Sequence, residues 1–465
     1  MPVLLWTDAL VFVLVVAIAG YFWYARRQPH LRRPWGRVTQ SAAGMAALVV
    51  LVAYVAIGLL DSMHYRPALD RKDERGQTVY STEVLSLFDA LATPLREHRE
   101  RTYSAPLATR AFARETLEVP GPDGKPQQVR EYPRLTWGGA HLKDESDRGR
   151  DVALRALAGL AVAALVWAGL AAAVARRHSW RAIWSGGTGF PWAAVLLTAG
   201  ALLALAGPTL ALCAYYHVLG TDKVGRDVLY LALKSIRTAL VIGTVTTLML
   251  LPFAIALGIM AGYFRGLIDD VIQFVYTVIN SIPGVLLIAA FILMAQVFID
   301  QHAEAFPTSV QRADVRLLVL CGVLGITGWT GLARLLRGET LKLRELEFVQ
   351  AAQAFGVRDA RIMTRHVLPN VMHIVLISLA IDFSGLVLAE AVLSYVGVGV
   401  DPSMISFGTM INAARLEMSR DPMVWWTLAA AFVFMFALVL AANLFSDAVR
   451  DAFDPRTKVG GLLPV

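Results

Sequence analysis

The chain has 465 residues, 56% of them hydrophobic and only 17% charged, with a formal net charge of +7. A soluble domain carries roughly a quarter charged residues. Here the apolar residues fall in blocks of about 20, the length a helix needs to cross about 30 Å of hydrocarbon. These figures exclude an ordinary soluble enzyme, and they read the basic excess as loop charge of a membrane protein rather than as a nucleic-acid surface.

In chain order, nine membrane spans are expected, at 4–24, 41–60, 152–176, 190–216, 232–262, 271–298, 314–336, 371–397 and 424–447. Ala17-Ile18-Ala19 resembles a cleavage site, but no Lys or Arg precedes the first block and Arg26 and Arg27 follow it. A secretory signal places its positive charge first, so the block reads as a retained span. Between the first two blocks stand Arg26, Arg27, Arg32, Arg33 and Arg37 with no acid, and after the third stand Arg176, Arg177 and Arg181, again with no acid. The positive-inside rule puts both segments in the cytoplasm, with the N-terminus outside and the C-terminus inside.

Residues 61–150 differ in kind: roughly a third are charged, acids and bases nearly balanced. The same topology places them outside. Val84, Leu87, Phe88 and Leu91 predict one face of an amphipathic helix, and "ETLEVPGPDGKPQQVREY" predicts two short strands around a Pro/Gly turn. That turn, Gly121–Lys125, imitates a phosphate loop. The gap between its glycines is two residues instead of four, and Pro126 stands where Ser or Thr is required. No other phosphate loop, metalloprotease motif or nucleophile elbow is present, so energy for any work must come from an ion gradient or from another subunit. Cys213 and Cys321 are isolated in apolar blocks and suggest neither a disulfide framework nor a metal site.

On residues alone, Gly220, Asp222, Gly225 and Asp227 read as an ordinary turn with a helix cap. Pro283 predicts a kink in the span 271–298, with Asn280 and Ser281 either satisfying the freed carbonyls or lining a path. The segment "FVQAAQAFGVRDARIMTRHVLPN" (348–370) is polar and lies between two spans. Glu345 to Phe355 predicts a helix with Phe348, Ala351, Ala352 and Phe355 on one shallow face, stopped at Gly356. Asp359 opens a second short helix ending near His366, and Pro369 fits the first turn of the next span. Arg358, Arg361 and Arg365 agree with a cytoplasmic location. The build suits a rigid docking element. Within the span 371–397, Asp382 places a carboxylate at bilayer depth. It reads either as a buried acid hydrogen-bonded to a neighbouring helix or as a pathway residue favouring cationic solutes.

Gln350-Ala351-Ala352, then Gly356, then Leu368-Pro369, resembles the signature loop of permease subunits of ATP-binding cassette importers. "HVLGTDKVGRDVL" (217–229), with Gly220, Thr221, Asp222, Gly225, Arg226 and Asp227, is similar to an extracytoplasmic element of the dipeptide, oligopeptide and nickel branch, C-type subunit. "AGYFRGLID", "LAEAVLSYVGVGV" and "DAVRDAFDPR" extend the resemblance over about 217–456. Glu390 matches a family glutamate and reads as structural. Gln350 departs from the usual Glu, and His366 stands where many members have an aliphatic residue.

The resemblance implies an all-α membrane protein with a type I importer permease core at 217–456, five spans and a coupling loop at 337–370. Coupling to an ATP-binding subunit would fall to Glu347, Gln350, Ala351, Ala352, Gly356, Arg358, Leu368 and Pro369. Before that core, residues 1–60 supply two spans, 61–150 the insert and 151–216 an additional pair. The block at 41–60 is taken as the family's first span, with 190–216 as the alternative. Implied partners are a second permease subunit, two ATP-binding subunits carrying ATP and Mg, and an extracytoplasmic solute-binding protein, with no cofactor on this chain. The solute would be a peptide or similar small molecule. The alternative is an ion-driven transporter or channel working without ATPase partners.

Overall fold

Residues 1–72, 78–120, 126–302, 304–306 and 308–453 are described by the computed structural model. The Pro/Gly turn 121–125 and the last residues of the terminal motif, 454–456, lie outside them. The chain begins with β1 (Pro2–Val3), α1 (Trp6–Arg27), α2 (Pro29–Val38) and α3 (Ala42–Asp61). The insert contributes β2 (His64–Tyr65), β3 (Ala68–Lys72), β4 (Thr78–Tyr80), β5 (Leu85–Ser86), α4 (Leu87–Leu91), α5 (Thr93–Glu97), β6 (Glu115–Pro120) and β7 (Pro126–Glu131). There follow α6 (Arg148–Ala175), α7 (Trp180–Ser185), α8 (Trp192–Leu212), α9 (Val228–Phe264), α10 (Gly266–Ser281), α11 (Gly284–Gln301) and α12 (Ser309–Arg344). The chain closes with α13 (Glu347–Ala354), α14 (Asp359–Ile362), α15 (Leu368–Val396), α16 (Phe407–Arg415) and α17 (Trp426–Phe453).

Among the described residues nine helical segments are long and apolar enough to cross a membrane. Three local expectations need correction. The block 271–298 is broken, not kinked. Pro283 forces Ile282 into extended backbone (φ −89°, ψ 129°), so α10 ends at Ser281 and α11 starts afresh at Gly284. The amphipathic helix of the insert is shorter than its apolar pattern: Leu85 and Ser86 pair as a strand with β2. Ser86 then caps α4, accepting the Asp89 N–H while Asp89 accepts the Ser86 N–H. The second short helix after Gly356 is not separate. α14 runs through a π-helical turn, Met363–Val367, into α15. Pro369 has no N–H and its ring crowds the carbonyl four residues back; a wider turn just before it relieves both problems.

The chain divides into two compact units. The first comprises residues 1–3, 48–238 and 405–438. Within it β1, β2 and β5 form a small antiparallel sheet, and β6 and β7 pair from Glu115↔Glu131 to Pro120↔Pro126. α6 and α8 pack on each other at a point where neither tolerates a side chain. A Cβ on Gly159 would stand 2.4 Å from the Gly207 carbonyl oxygen, and one on Gly207 would stand 2.5 Å from that of Gly159. Small residues let backbones approach where lipid supplies no hydrophobic drive. Trp167 closes the pair by donating its indole N–H to the Leu196 carbonyl at 2.7 Å.

The second unit comprises residues 4–47, 239–404 and 439–465. One of its cores joins Leu250, Ile259 and Tyr263 of α9 to Trp329 and Leu336 of α12, and to Val349, Ile362, Val367 and Val371. α9 and α12 approach closely at Gly258, where a Cβ would meet the Ala333 carbonyl oxygen at 2.8 Å. α1 is tied to α12 by Thr7, whose N–H and hydroxyl both donate to the buried carboxylate of Asp314.

Candidate functional site

Residues 217–227 connect α8 to α9, within the first unit. Their backbone folds on itself: Asp222 N–H donates to the Arg226 carbonyl, and the Asp222 carboxylate accepts the N–H groups of Val224 and Arg226. Asp227 caps the start of α9 by accepting the Leu229 N–H at 2.8 Å. To this point the turn-and-cap reading holds, but the segment does more. Gly225, at φ +73°, takes a left-handed conformation, and a Cβ there would stand 1.8 Å from the carbonyl oxygen of Glu100. Glu100 N–H donates to the Gly225 carbonyl. Thr221 exchanges backbone and side-chain bonds with Ser104, donates its hydroxyl to the Thr102 carbonyl, and offers its own carbonyl to the Trp426 indole N–H. The motif is therefore the seat on which the insert is bolted.

At the centre of that seat His217 is buried between two carboxylates. Its Nδ1 lies 2.8 Å from Asp227 Oδ2, and its Nε2 lies 3.4 Å from Glu100 Oε1, an ionic contact too long for a strong hydrogen bond. Glu100 also accepts the N–H groups of Thr136, Trp137 and Gly138. Burial alone would lower the imidazole's pKa, but Asp227 and Glu100 outweigh it and raise it to about 9. Burial alone would raise Glu100, but His217 and the three backbone donors bring it down to about 2. Nothing in the sequence marked Glu100: in "REHRER" it looks like one more solvated charge.

The segment 345–369 belongs to the second unit. α13 presents two faces. Val349 is fully buried and Ala352 is 9% exposed, both within the α9–α12 core, while Phe348 is 42% and Phe355 87% exposed. Ala351 is exposed with the two phenylalanines. Ala352 thus leaves the outward face on which its spacing placed it and faces the protein's own interior. Gly356 ends the helix at φ +71° with open space around it. Tyr263 at the end of α9 holds the segment from behind. Its hydroxyl donates to Asp359 Oδ1 at 2.7 Å and accepts from the Gln353 amide at 3.0 Å. Arg344 donates to the Tyr263 carbonyl, and Gln350 reaches back to the Glu345 carbonyl. Arg337 grips Asp269 of α10 by two bonds of 2.6 Å, a planar bidentate pair. Glu347 and Arg358 are exposed, while Leu368 and Pro369 open α15. Tyr263 and Asp269 lie in the quoted "AGYFRGLID" and Gln353 in the polar segment, but their pairings carry no sequence signal, because the partners lie 68 to 96 residues away.

The remaining candidates are scattered. Asn280 and Ser281 end α10 at the break; Asn280 accepts the Thr330 hydroxyl at 3.3 Å, and Ser281 donates to the Val278 carbonyl. Glu390 is buried in α15 and accepts the Ser394 hydroxyl at 2.7 Å. Asp382, half-buried on α15, has no hydrogen-bond partner among the described residues.

Known proteins give this geometry its context. Residues 254–459 match the family described as "Binding-protein-dependent transport system inner membrane component". The chain is 34% identical over 242 residues to an oligopeptide transport system permease protein, OppC, of Mycobacterium tuberculosis, covering 52% of this chain and 77% of that one. It is 31% identical to a glutathione transport system permease protein, GsiD, of Pectobacterium atrosepticum, covering 52% of this chain and 73% of that one. A dipeptide transport system permease protein, DppC, of Lactococcus lactis is 30% identical over 52% of this chain and 64% of its own. With nine candidate spans, a loop seated in the α9–α12 core and this similarity over the same half of the chain, the protein belongs to the multi-pass inner-membrane permease components of ATP-binding cassette importers, in the peptide branch.

Proposed function

We propose that the chain moves peptides or similar small solutes inward as one permease subunit of a larger assembly, and that residues 345–369 receive the stroke of ATP hydrolysis from an ATP-binding subunit. The supporting observation is the two-faced build of α13. Its inner face is locked by Val349, Ala352 and the Tyr263–Asp359–Gln353 bonds, while its outer face offers Phe348, Ala351 and Phe355 to something not yet in contact. A docking element must be rigid to transmit displacement between two states. The assembly comprises a second permease subunit, two ATP-binding subunits that carry the ATP and Mg, and an extracytoplasmic solute-binding protein. The basic segments 26–37 and 176–181 face the cytoplasm, and the insert faces outward. Copurification of the assembly followed by reconstitution is expected to give peptide-stimulated ATPase activity and ATP-dependent uptake. Uptake by this chain alone, indifferent to ATP, would instead establish an ion-driven transporter or channel.

In this reading Asp382 lines the solute path. A carboxylate at bilayer depth costs at least about 2.5 kcal/mol on insertion scales, and this one lacks a compensating partner among the described residues. Asp382→Asn keeps the shape of the acid and removes its charge. Uptake of cationic peptides is expected to fall several-fold relative to neutral ones, with basal ATPase activity retained. Equal uptake of both classes would remove Asp382 from the path.

A further inference from the structure

The N-terminal helical pair gathers five arginines. α1 ends in Arg26 and Arg27, and α2 adds Arg32, Arg33 and Arg37. These five side chains, with Gly36 and Gln40, line a concavity of about 570 Å³ at the end of an apolar span. None of the five makes an ion pair with a carboxylate among the described residues. Like charges gathered this way repel one another unless an anion joins them.

The cradle is also held in shape. Trp35 of α2 packs against Phe22 at 5.0 Å and Phe453 at 5.5 Å between ring centroids, and its indole N–H donates to the Tyr21 hydroxyl at 3.3 Å. Val38 is buried against Val449 and Ala452. Arg27 lies 3.8 Å over the Trp23 ring. Below the arginines, Val13, Val16 and Trp23 of α1 are 59%, 71% and 60% exposed, an apolar wall running away from the charge. Aromatic residues and arginines at a span's end mark headgroup depth, and basic pockets beside spans recognise lipid phosphates.

We propose that this cradle is a binding site for an anionic phospholipid. The guanidinium groups take the phosphodiester and the acyl chains lie along the exposed side of α1. Planar guanidinium forks match phosphate oxygens in pairs, which explains arginine at all five positions. An occupied cradle would clamp α2 between lipid and the end of α17.

The test uses the full chain purified in detergent, with retained lipid read by native mass spectrometry after exposure to phosphatidylglycerol or phosphatidylcholine of matched acyl chains. The wild type is expected to retain phosphatidylglycerol in preference by a factor of ten or more. R32Q/R33Q/R37Q is expected to lower that retention about a hundredfold, since each basic side chain near an anionic surface is worth a factor of about five. R176Q/R177Q/R181Q, which removes the same charge elsewhere, is expected to leave it unchanged. R32K/R33K/R37K keeps the charge but not the planar fork and is expected to retain more phosphatidylglycerol than the glutamine variant and less than the wild type, which guards against misfolding as the cause. Equal retention of the two lipids, equal losses in the two glutamine variants, a loss in the lysine variant as large as in R32Q/R33Q/R37Q, or displacement of the lipid by inorganic phosphate at matched ionic strength would each overturn the proposal.

Discussion

The connection 217–227 and the coupling segment 345–369 are both polar loops between apolar helices, yet they are built on opposite plans. In the first, Thr221, Gly225 and Asp227 close onto Glu100, Ser104, His217 and Trp426, and Asp222 closes onto Val224 and Arg226. In the second, Gln353, Asp359 and Arg344 bond to Tyr263 and Gln350 bonds to the Glu345 carbonyl, while Phe348, Ala351 and Phe355 stay exposed. A closed loop holds its own protein together, while a half-closed one is held from one side and leaves the other open, as the proposed docking role requires. Similar composition thus conceals two tasks, and the direction of the hydrogen bonds separates them.

The contrast can be broken first at the glycines. Gly225→Ala drives a methyl group into the Glu100 carbonyl oxygen at a left-handed backbone position, and is expected to destabilise the fold by about 4 kcal/mol or more. Gly356→Ala meets nothing and suffers only the backbone cost, about 1 kcal/mol. Thermal melting of both variants in detergent measures the difference, and equal shifts would erase the distinction. The alanines come next. Ala352→Arg forces a charge into the α9–α12 core and is expected to cost about 3 kcal/mol. Ala351→Arg fills the exposed face instead. Melting is expected to stay within about 0.5 kcal/mol of the wild type, while ATP-dependent uptake falls more than tenfold. Normal uptake by Ala351→Arg would exclude that face as the docking surface.

A third difference is in pH. The pKa of His217 rises on folding, from 6.5 to about 9, so its stabilisation is complete below 6.5 and is lost as pH climbs through 9. Between pH 7 and 8.5 the wild type is expected to lose about 2 kcal/mol that His217→Gln, less stable throughout, does not lose. Parallel pH profiles for the two proteins would show that the imidazole is not charged in the fold.

Spans and hairpin were legible because each rests on a local pattern. Twenty apolar residues must become a helix in lipid, and the β6–β7 register follows from alternation on either side of Pro/Gly residues. Gly356 was legible because a helix stop is a local event. What could not be read was anything joining distant residues. Glu100 reaches His217 across 117 positions, and Arg337 reaches Asp269 across 68. Ala352 shows the intermediate case: helical spacing put it on one stripe with Phe348 and Ala351, but only the tertiary core decides where along that stripe the inside begins.

The π-helical turn Met363–Val367 joins α14 to α15 without a break, so a change of length there is expected to re-aim segment 345–362. One residue corresponds to about 100° of helix rotation, so this single turn sets the azimuth at which α14 leaves α15. Ile362 and Val367 both face the core from opposite ends of it, each fully buried. Removing one residue would swing Ile362 away from the core and turn the whole upstream segment with it, whatever residue is removed. Thr364 is exposed and bonds only to the carbonyls of Ala360 and Arg361. Thr364→Ala should therefore be nearly silent, whereas deletion of Thr364 should abolish ATP-coupled uptake; uptake surviving the deletion would show that the aim of the segment is not set there. Drift in this stretch is then expected to proceed by substitution at fixed length, with insertions and deletions confined to the loops outside it.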